Sequence, residues 1–255
     1  MLRVMFDVDP DAYGRFMGRF SEPLARELVR LLDLRTGLRG LDVGCGPGAL
    51  TTPLVALLGV DHVVAVDPSA TFVQAVRDRL PGLDARVGSA ENLPFDDGAF
   101  DVVLAQLVVH FMEDPVAGLR EMRRVAAAGG RVAASVWDMA GGAGPLELFW
   151  RSARDLDPTV TAETELPGVA EGQLRGLFTA AGMQETISTA LTVRVRFRSF
   201  EEWWDPFTLG VGPAGRHVAE LDATRRSALR ARCADLAGPA PFEVSGTAWC
   251  VMASV

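Results

Sequence analysis

The sequence predicts a doubly wound α/β domain, with a predominantly parallel sheet, helices on both faces and a binding crevice at the strand C-termini. Three stretches predict it. Gly40-Leu41-Asp42-Val43 is a short apolar strand that runs straight into the glycine-rich turn Gly44-Cys45-Gly46-Pro47-Gly48-Ala49, and the segment from Leu50 onward reads as a helix. His62 to Asp67 is a second apolar strand ending in an acid, 23 positions beyond Gly44. The run from Phe100 to Phe111 begins as a strand buried on both faces, as a central parallel strand is.

Composition sets the bounds. A chain of 255 residues, 49% hydrophobic and 23% charged, is long enough for one sizeable core, so we expect a single domain over 1–255 with a lid. A net charge of -8 disfavours a general nucleic-acid binder, which needs a concentrated basic surface, and favours a small-molecule partner. All 25 basic residues are arginine, which excludes a Schiff-base lysine, pyridoxal phosphate included, and a P-loop lysine. Cys45, Cys233 and Cys250 are odd in number and far apart, so we expect neither a disulfide framework nor a zinc or other metal site. A reducing cytoplasm fits. Arg3, Asp7, Asp9 and Asp11 interrupt any signal-peptide apolar region, and no run approaches a membrane span.

Glycines 44, 46 and 48 let backbone approach a ligand without a Cβ in the way, and the helix behind them turns its free N–H groups to the site. The same stretch also satisfies the dinucleotide fingerprint G-x-G-x-x-G/A, so the glycines alone do not choose a cofactor. Asp42 tilts the choice. A carboxylate facing the ligand from the strand end repels a pyrophosphate and suits a cationic ligand end. Leu41-Asp42-Val43-Gly44-Cys45-Gly46-Pro47-Gly48 closely resembles motif I of the class I S-adenosylmethionine-dependent methyltransferases, and the chain looks most like the small-molecule group related to quinone and sterol methyltransferases. The resemblance is specific over residues 36–137 and looser beyond. It implies a seven-stranded Rossmann-like methyltransferase sheet, mostly parallel with an antiparallel last strand, helical lid insertions, S-adenosyl-L-methionine as cofactor, and methyl transfer to an O, N or C nucleophile. Three other readings stay open: a protein of this fold that binds the cofactor without methylating, an NAD-dependent oxidoreductase, and a homodimeric interaction module.

Residues 1–34 read as an N-terminal helical cap and 35–137 as the cofactor-binding half. Ser21 reads as an N-cap with Pro23 in the first turn, followed by a helix whose Leu24, Leu28, Leu31 and Leu32 pack on the sheet. By resemblance the segment before it folds over cofactor and substrate, which makes Tyr13 and Arg19 candidates for the methionine moiety and Phe16 a candidate for the substrate. Asp67 is placed to accept from both ribose hydroxyls, with Pro68 beside it; a helix N-cap is its other reading. His62, at the far end of that strand, is structural. In the family pattern an aspartate holds the adenine amino group where this chain has Ser89, so Ala90 and Glu91 stand as compensating candidates.

The resemblance puts Ala105 and Gln106 alongside the methionine end. It puts His110 just beyond, where a histidine is either a general base or a packing or substrate contact. Asp114-Pro115 caps the next helix, with Val116, Leu119, Met122 and Val125 at its apolar positions, Gly129-Gly130 ends it, and Arg131 to Trp137 supplies strand five. Trp137 at the strand tip is a pocket wall or a core residue. Residues 138–170 and 199–240 are candidate lid and substrate segments, in which Trp150, Trp203 and Trp204 are candidate substrate contacts; the aromatics of the second segment read equally as a cap core or a dimer contact. Arg194, Arg196 and Arg198 share one strand face, solvated or anion-binding. Thr247 to Val255 closes the sheet.

Overall fold

The computed structural model describes residues 9–255. The first eight residues of the 1–34 cap, Arg3 and Asp7 among them, lie outside the described residues. Seven strands form one sheet in the order β3-β2-β1-β4-β5-β7-β6. The strands are β1 (Gly40–Val43), β2 (Val63–Asp67), β3 (Asp84–Val87), β4 (Phe100–Gln106), β5 (Ala126–Trp137), β6 (Thr186–Phe197) and β7 (Phe242–Ser254). The first five are parallel, while β7 runs antiparallel to both β5 and β6. The chain moves outward from β1 through β2 to β3, then returns to the other side of β1 for β4. The strand order reverses at β1 and β4, so their C-terminal ends open the crevice in which a doubly wound sheet binds ligands.

Helices cover both faces, as the patterning predicts. On one face α2 (Arg19–Leu32) and α3 (Thr51–Leu58) bury Ala25, Leu28, Leu32, Leu54 and Leu58 with Val102 and Leu104 of β4. On the other, α5 (Pro115–Val125) and α7 (Gln173–Ala180) bury Leu119, Met122, Val125 and Phe178 with Val103 and Ala105. Asp114 caps α5, accepting from the N–H groups of Val116 and Ala117. Gly129 and Gly130, expected to end α5, instead lie inside β5. The helix stops at Val125, Ala126 pairs with Phe100, and the register then jumps so that Val102 meets Arg131. The irregularity needs a glycine, because a Cβ on Gly130 would stand 2.7 Å from the Ala127 carbonyl oxygen.

The N-terminal segment also differs from the sequence reading. Helix begins at α1 (Pro10–Tyr13), capped by Asp9, widens into a π-turn over Gly14–Gly18 and continues directly as α2. Ser21 is therefore a buried helix-interior residue, and the cap role belongs to Asp9, whose carboxylate accepts from the N–H groups of Asp11 and Ala12. Local sequence favoured Ser21 as a start because Pro23 follows it in helix-opening position; tertiary packing of Phe16 and Phe20 carries the helix further upstream.

Strands β6 and β7 pair from Thr186↔Ala253 to Phe197↔Phe242, whereas β5 borders β7 only as far as Trp137↔Ala248. The β6–β7 ribbon therefore runs on past the tip of β5 by roughly 20 Å at 3.4 Å per residue. The N-terminal half of α2 packs against this overhang: Arg19 lies 4.3 Å over the Phe197 ring and pairs with Glu202 at 2.9 Å. Beyond it come α8 (Phe200–Trp204), α9 (Gly212–Glu220) and α10 (Ala223–Ala237), with α6 (Glu147–Leu156) completing the cap. Phe207 is the hub of that cap. It stacks on Phe149 at 4.6 Å and meets Trp203 at 4.7 Å and Phe16 edge-on at 5.0 Å. Phe207→Ala should cost about 3–5 kcal/mol of unfolding free energy in a chemical denaturation series. A cost below about 1 kcal/mol would show that the cap does not unfold with the sheet.

Candidate cofactor site

The three glycines of the turn have different physical jobs. All have positive φ, at +71° for Gly44, +51° for Gly46 and +95° for Gly48. A Cβ on Gly44 would stand 2.4 Å from a Val108 methyl, and one on Gly48 would stand 2.8 Å from a Val76 methyl, so packing from below and beside the turn forbids side chains there. Nothing lies within 4 Å of the corresponding point on Gly46. Gly46 is the glycine that leaves open space. The Gly44 and Cys45 N–H groups donate to the Val66 carbonyl, which ties the turn to β2, and the Cys45 side chain is buried.

Asp67 braces the same turn. One carboxylate oxygen accepts from the Gly46 N–H and the other from the Ser69 N–H, both at 2.8 Å. The helix after it, α4 (Ala70–Arg79), is capped by Ser69, so the N-cap reading of Asp67 is corrected. Pro68 between them is exposed. Burial pushes the Asp67 pKa up to about 6 against the lowering effect of those two N–H donors. Asp42 is 1% exposed, and its Oδ2 accepts from the Thr51 hydroxyl at 2.6 Å. The expectation that its carboxylate faces the ligand is corrected, since it lies buried against the first turn of α3 and acts on the crevice through its field. Burial raises its pKa to about 7, with the Thr51 bond opposing and the Asp67 charge adding to the rise. Tyr13 reaches the same place from α1, packed edge-on against Phe72 at 5.5 Å, its phenol pushed up to about 12 by burial and then by the Asp67 charge.

Ser89 is exposed, and its hydroxyl donates to Glu91, while the other Glu91 oxygen accepts from the Glu113 N–H at 2.9 Å. This brace joins the loop after β3 to the one after β4, with Ala90 buried behind it. Ala105 is fully buried in the core. The Gln106 amide donates to the Ser21 carbonyl at 2.9 Å and so pins α2 to the end of β4. Leu107 follows with φ +60°, rare for a branched side chain, and its N–H donates to the Ser135 carbonyl at 2.8 Å. His110 sits in the 3₁₀ turn Val109–Phe111, is 3% exposed and has an unpartnered Nδ1. Burial depresses its pKa to about 3, so the imidazole is neutral above about pH 4.

Arg19 is engaged with Phe197 and Glu202, which sets it on the ribbon and away from the Asp42–Asp67 pair. Trp203 and Trp204 are buried against Phe207, Trp150 donates to the buried Glu163 at 3.3 Å, and Phe16 meets Phe207; these side chains form the cap core. Trp137 is 2% exposed with an unpartnered Nε1. Arg194 and Arg196 lie on the exposed face of β6, with Arg196 opposite Glu243, and Arg198, just past the strand, is exposed as well. Sequence reasoning passed over Thr51, whose place in the first turn of α3 was a usable signal for a partner of Asp42. It also passed over Val108, Leu107 and Ser135, which only the fold brings to the site. An open groove of about 540 Å³, lined by Arg39, Arg86, Phe95 and Phe100, lies at the opposite, N-terminal end of the strands and takes no part in the crevice. Among the described residues no cluster suits a metal ion, and the three cysteines are free and buried.

Comparison with known proteins agrees with this geometry. Residues 41–134 match a family described as methyltransferase domain. An uncharacterized methyltransferase of Mycobacterium tuberculosis is 43% identical over 127 residues, 50% of this chain and 49% of that protein. A demethylmenaquinone methyltransferase of Paenarthrobacter aurescens is 34% identical over 127 residues, 50% of this chain and 47% of that protein. The chain thus spans about half the length of these relatives. A Thermotoga maritima structure described as an S-adenosylmethionine-dependent methyltransferase, possible histamine N-methyltransferase, has the same fold at a TM-score of 0.62 and 19% identity, covering 100% of this chain and 99% of that one. Residues 41–134 thus match the methyltransferase-domain family, and the sheet order and glycine turn give the chain the fold of the class I S-adenosylmethionine-dependent methyltransferases.

Proposed function

We propose that this protein methylates a small-molecule acceptor by in-line displacement, with S-adenosylmethionine as the methyl donor. The observation that carries the reading is a pair of buried carboxylates, Asp42 and Asp67, beside a glycine turn that stays open at Gly46, with no arginine contributing to the electrostatics of either acid. Such a pair costs free energy until a cation arrives, so the crevice favours a positively charged ligand and opposes a pyrophosphate. The residues therefore fit the cofactor: Asp67 with Gly46 would hold its ribose side, Tyr13 its methionine side, and Ser89 to Glu91 its adenine side. What the cofactor supplies when bound is a methyl group activated by attachment to a sulfonium.

The chain's own contribution is then binding, alignment and exclusion of water. The π-turned N-terminal helix lies over Asp67 through Tyr13, the ribbon and cap enclose the far side, and His110 offers a neutral imidazole with a free Nδ1. Alignment of this kind carries much of the rate in reactions that need little acid–base help. A small neutral acceptor in the cytoplasm suits the negative net charge, the free cysteines and the demethylmenaquinone methyltransferase among the relatives. No described helix is long and apolar enough to cross a membrane.

Titration calorimetry with S-adenosylmethionine, S-adenosylhomocysteine and NADH tests the cofactor assignment. Micromolar binding of the first two with silence from NADH is expected, and the reverse pattern would replace the reading with an oxidoreductase. Affinity for S-adenosylmethionine should rise more than about tenfold from pH 5 to pH 8 as Asp67 and Asp42 ionise, and less for the homocysteine product, which lacks the sulfonium charge. A flat profile would remove the carboxylate pair from cofactor recognition. The same pair shapes stability. Because the folded pKa of Asp42 lies above its unfolded value of 3.8, its contribution is fully present below about pH 4 and is lost as pH climbs to about 7. The stability difference between wild type and Asp42→Asn, from urea melts, should therefore fall by a few kcal/mol across that window.

A further inference from the structure

Four unpartnered polar atoms, all on side chains at least nine-tenths buried, sit on one face at the ends of β4 and β5: Ser21 Oγ, Gln106 Oε1, Ser135 Oγ and Trp137 Nε1. Their placement follows from register. Gln106 and Ser135 are paired across the parallel strands β4 and β5, so their side chains leave the same face of the sheet. Trp137 lies two residues, about 7 Å, further along that face. Ser21 is held above Gln106 by the bond from the Gln106 amide to the Ser21 carbonyl. That bond also fixes the amide orientation, since Nε2 must donate and Oε1 is left as the acceptor. The Trp137 ring is oriented too. Its Cζ3 edge lies 3.2 Å from the point where Gly246 of β7 would carry a Cβ, so the opposite edge, which carries Nε1, faces away from Gly246. A donor on Trp137 and an acceptor on Gln106 thus lie on one face of the sheet, one residue pair apart along it, with two serine hydroxyls able to act either way.

Burying four such atoms without partners costs roughly 1–3 kcal/mol each, which a ligand carrying the complementary groups recovers. No arginine and no carboxylate is among the four. We infer that this quartet recognises the methyl acceptor, and that the acceptor is an uncharged molecule carrying a hydroxyl and a carbonyl too far apart to bond each other: the hydroxyl donates to Gln106 Oε1 and the carbonyl accepts from Trp137 Nε1. The inference rests on the methyltransferase reading above and narrows its acceptor class. The apolar side chains on the same face of the overhanging ribbon, Val193, Val195 and Phe197, suit a flat hydrocarbon frame around those two groups.

The test uses three naphthalenes as probes in calorimetry on protein saturated with S-adenosylhomocysteine: 6-acetyl-2-naphthol, with both groups; 2-naphthol, without the carbonyl; and 2-acetylnaphthalene, without the hydroxyl. Wild type should bind the first about tenfold tighter than either of the others, the worth of one buried hydrogen bond. Trp137→Phe, which keeps the ring and loses Nε1, should erase the preference over 2-naphthol. Gln106→Met should erase the preference over 2-acetylnaphthalene, and thermal melts establish that each variant is folded. Equal affinity of wild type for all three probes would overturn the inference, with water satisfying the quartet. So would preferences that survive in both variants, or tighter binding of 1-naphthylmethylammonium than of any neutral probe. Failure of wild type to bind S-adenosylhomocysteine at all would instead overturn the cofactor reading on which the inference stands, so the two failures are told apart in one experiment.

Discussion

The bridge that Asp67 makes from the Gly46 N–H to the Ser69 N–H is the interaction on which the rest of the crevice depends. It holds the glycine turn after β1 against the turn after β2 and so fixes the distance between the two loops that frame the site. It also places one buried carboxylate near another, Asp42, whose own oxygen is committed to Thr51. Burial raises both pKa values, to about 6 for Asp67 and about 7 for Asp42, and the Asp67 charge adds to the rise at Asp42. Rigidity and charge are thus the same feature here. The hydrogen bonds that make the turn stiff keep the acids in place, and the acids give the stiff turn a preference for cations.

Outward from that pair the chain builds a cap from distant segments. Tyr13 and Phe16 come from the N-terminus, Phe197 and Phe242 from the ribbon, Phe149 and Phe207 from the cap, and aromatic contacts of 4.6 to 6.3 Å join these groups to one another or to the wall beneath. Aromatic rings suit this because a few stiff side chains bury much area with few rotamers to fix. The cap meets the sheet through Gln106, which gives its amide to α2 and keeps its carbonyl oxygen for the crevice. One residue on, Leu107 is held at φ +60° by its bond to Ser135, so the chain leaves β4 at an angle that local preference opposes. That angle brings Val108 onto Gly44 and leads into the turn that carries His110.

What the sequence made legible follows from this division. Gly40 to Ala49, the acid at 67 and the both-faces-buried strand from 100 could be read because backbone geometry and strand periodicity restrict which residues stand there, whatever lies around them. The antiparallel ending was legible from its apolar pattern and its resemblance to the family. The misread residues are those whose role is set by a partner far away in sequence. Arg19 has a free choice of carboxylates until Glu202 is beside it, and Ser21 looks like a cap until Phe16 and Phe20 find aromatic partners upstream. Gly129 and Gly130 read as a helix stop because glycine breaks helices. Their real constraint is a close approach to the carbonyls of Ala127 and Asp101, which no local rule contains. Asp42 was read in the right strand with the wrong exposure, since burial depends on Thr51 and the helix it opens.

The electrostatics of the two ends of the crevice then constrain how it can work. At the β1–β2 end the field is negative and the groups titrate close to neutrality. At the β4–β5 end His110 is held neutral, with its pKa near 3, and the four unpartnered side chains Ser21, Gln106, Ser135 and Trp137 carry no charge. On the reading proposed above, a cation entering the first end would offset the cost of charging two buried acids, and that gain would be lost when the charge leaves the ligand. Product would then gain less from the site than substrate does, which favours its release. On the same reading, a nucleophile bound at the second end would be oriented by fixed dipoles rather than by ions. Neutral orientation at one end and cation-selective binding at the other would then be properties of different strands. They could vary separately: changes on β4 and β5 would alter which acceptor fits, while the Asp42–Asp67 arrangement would hold the donor.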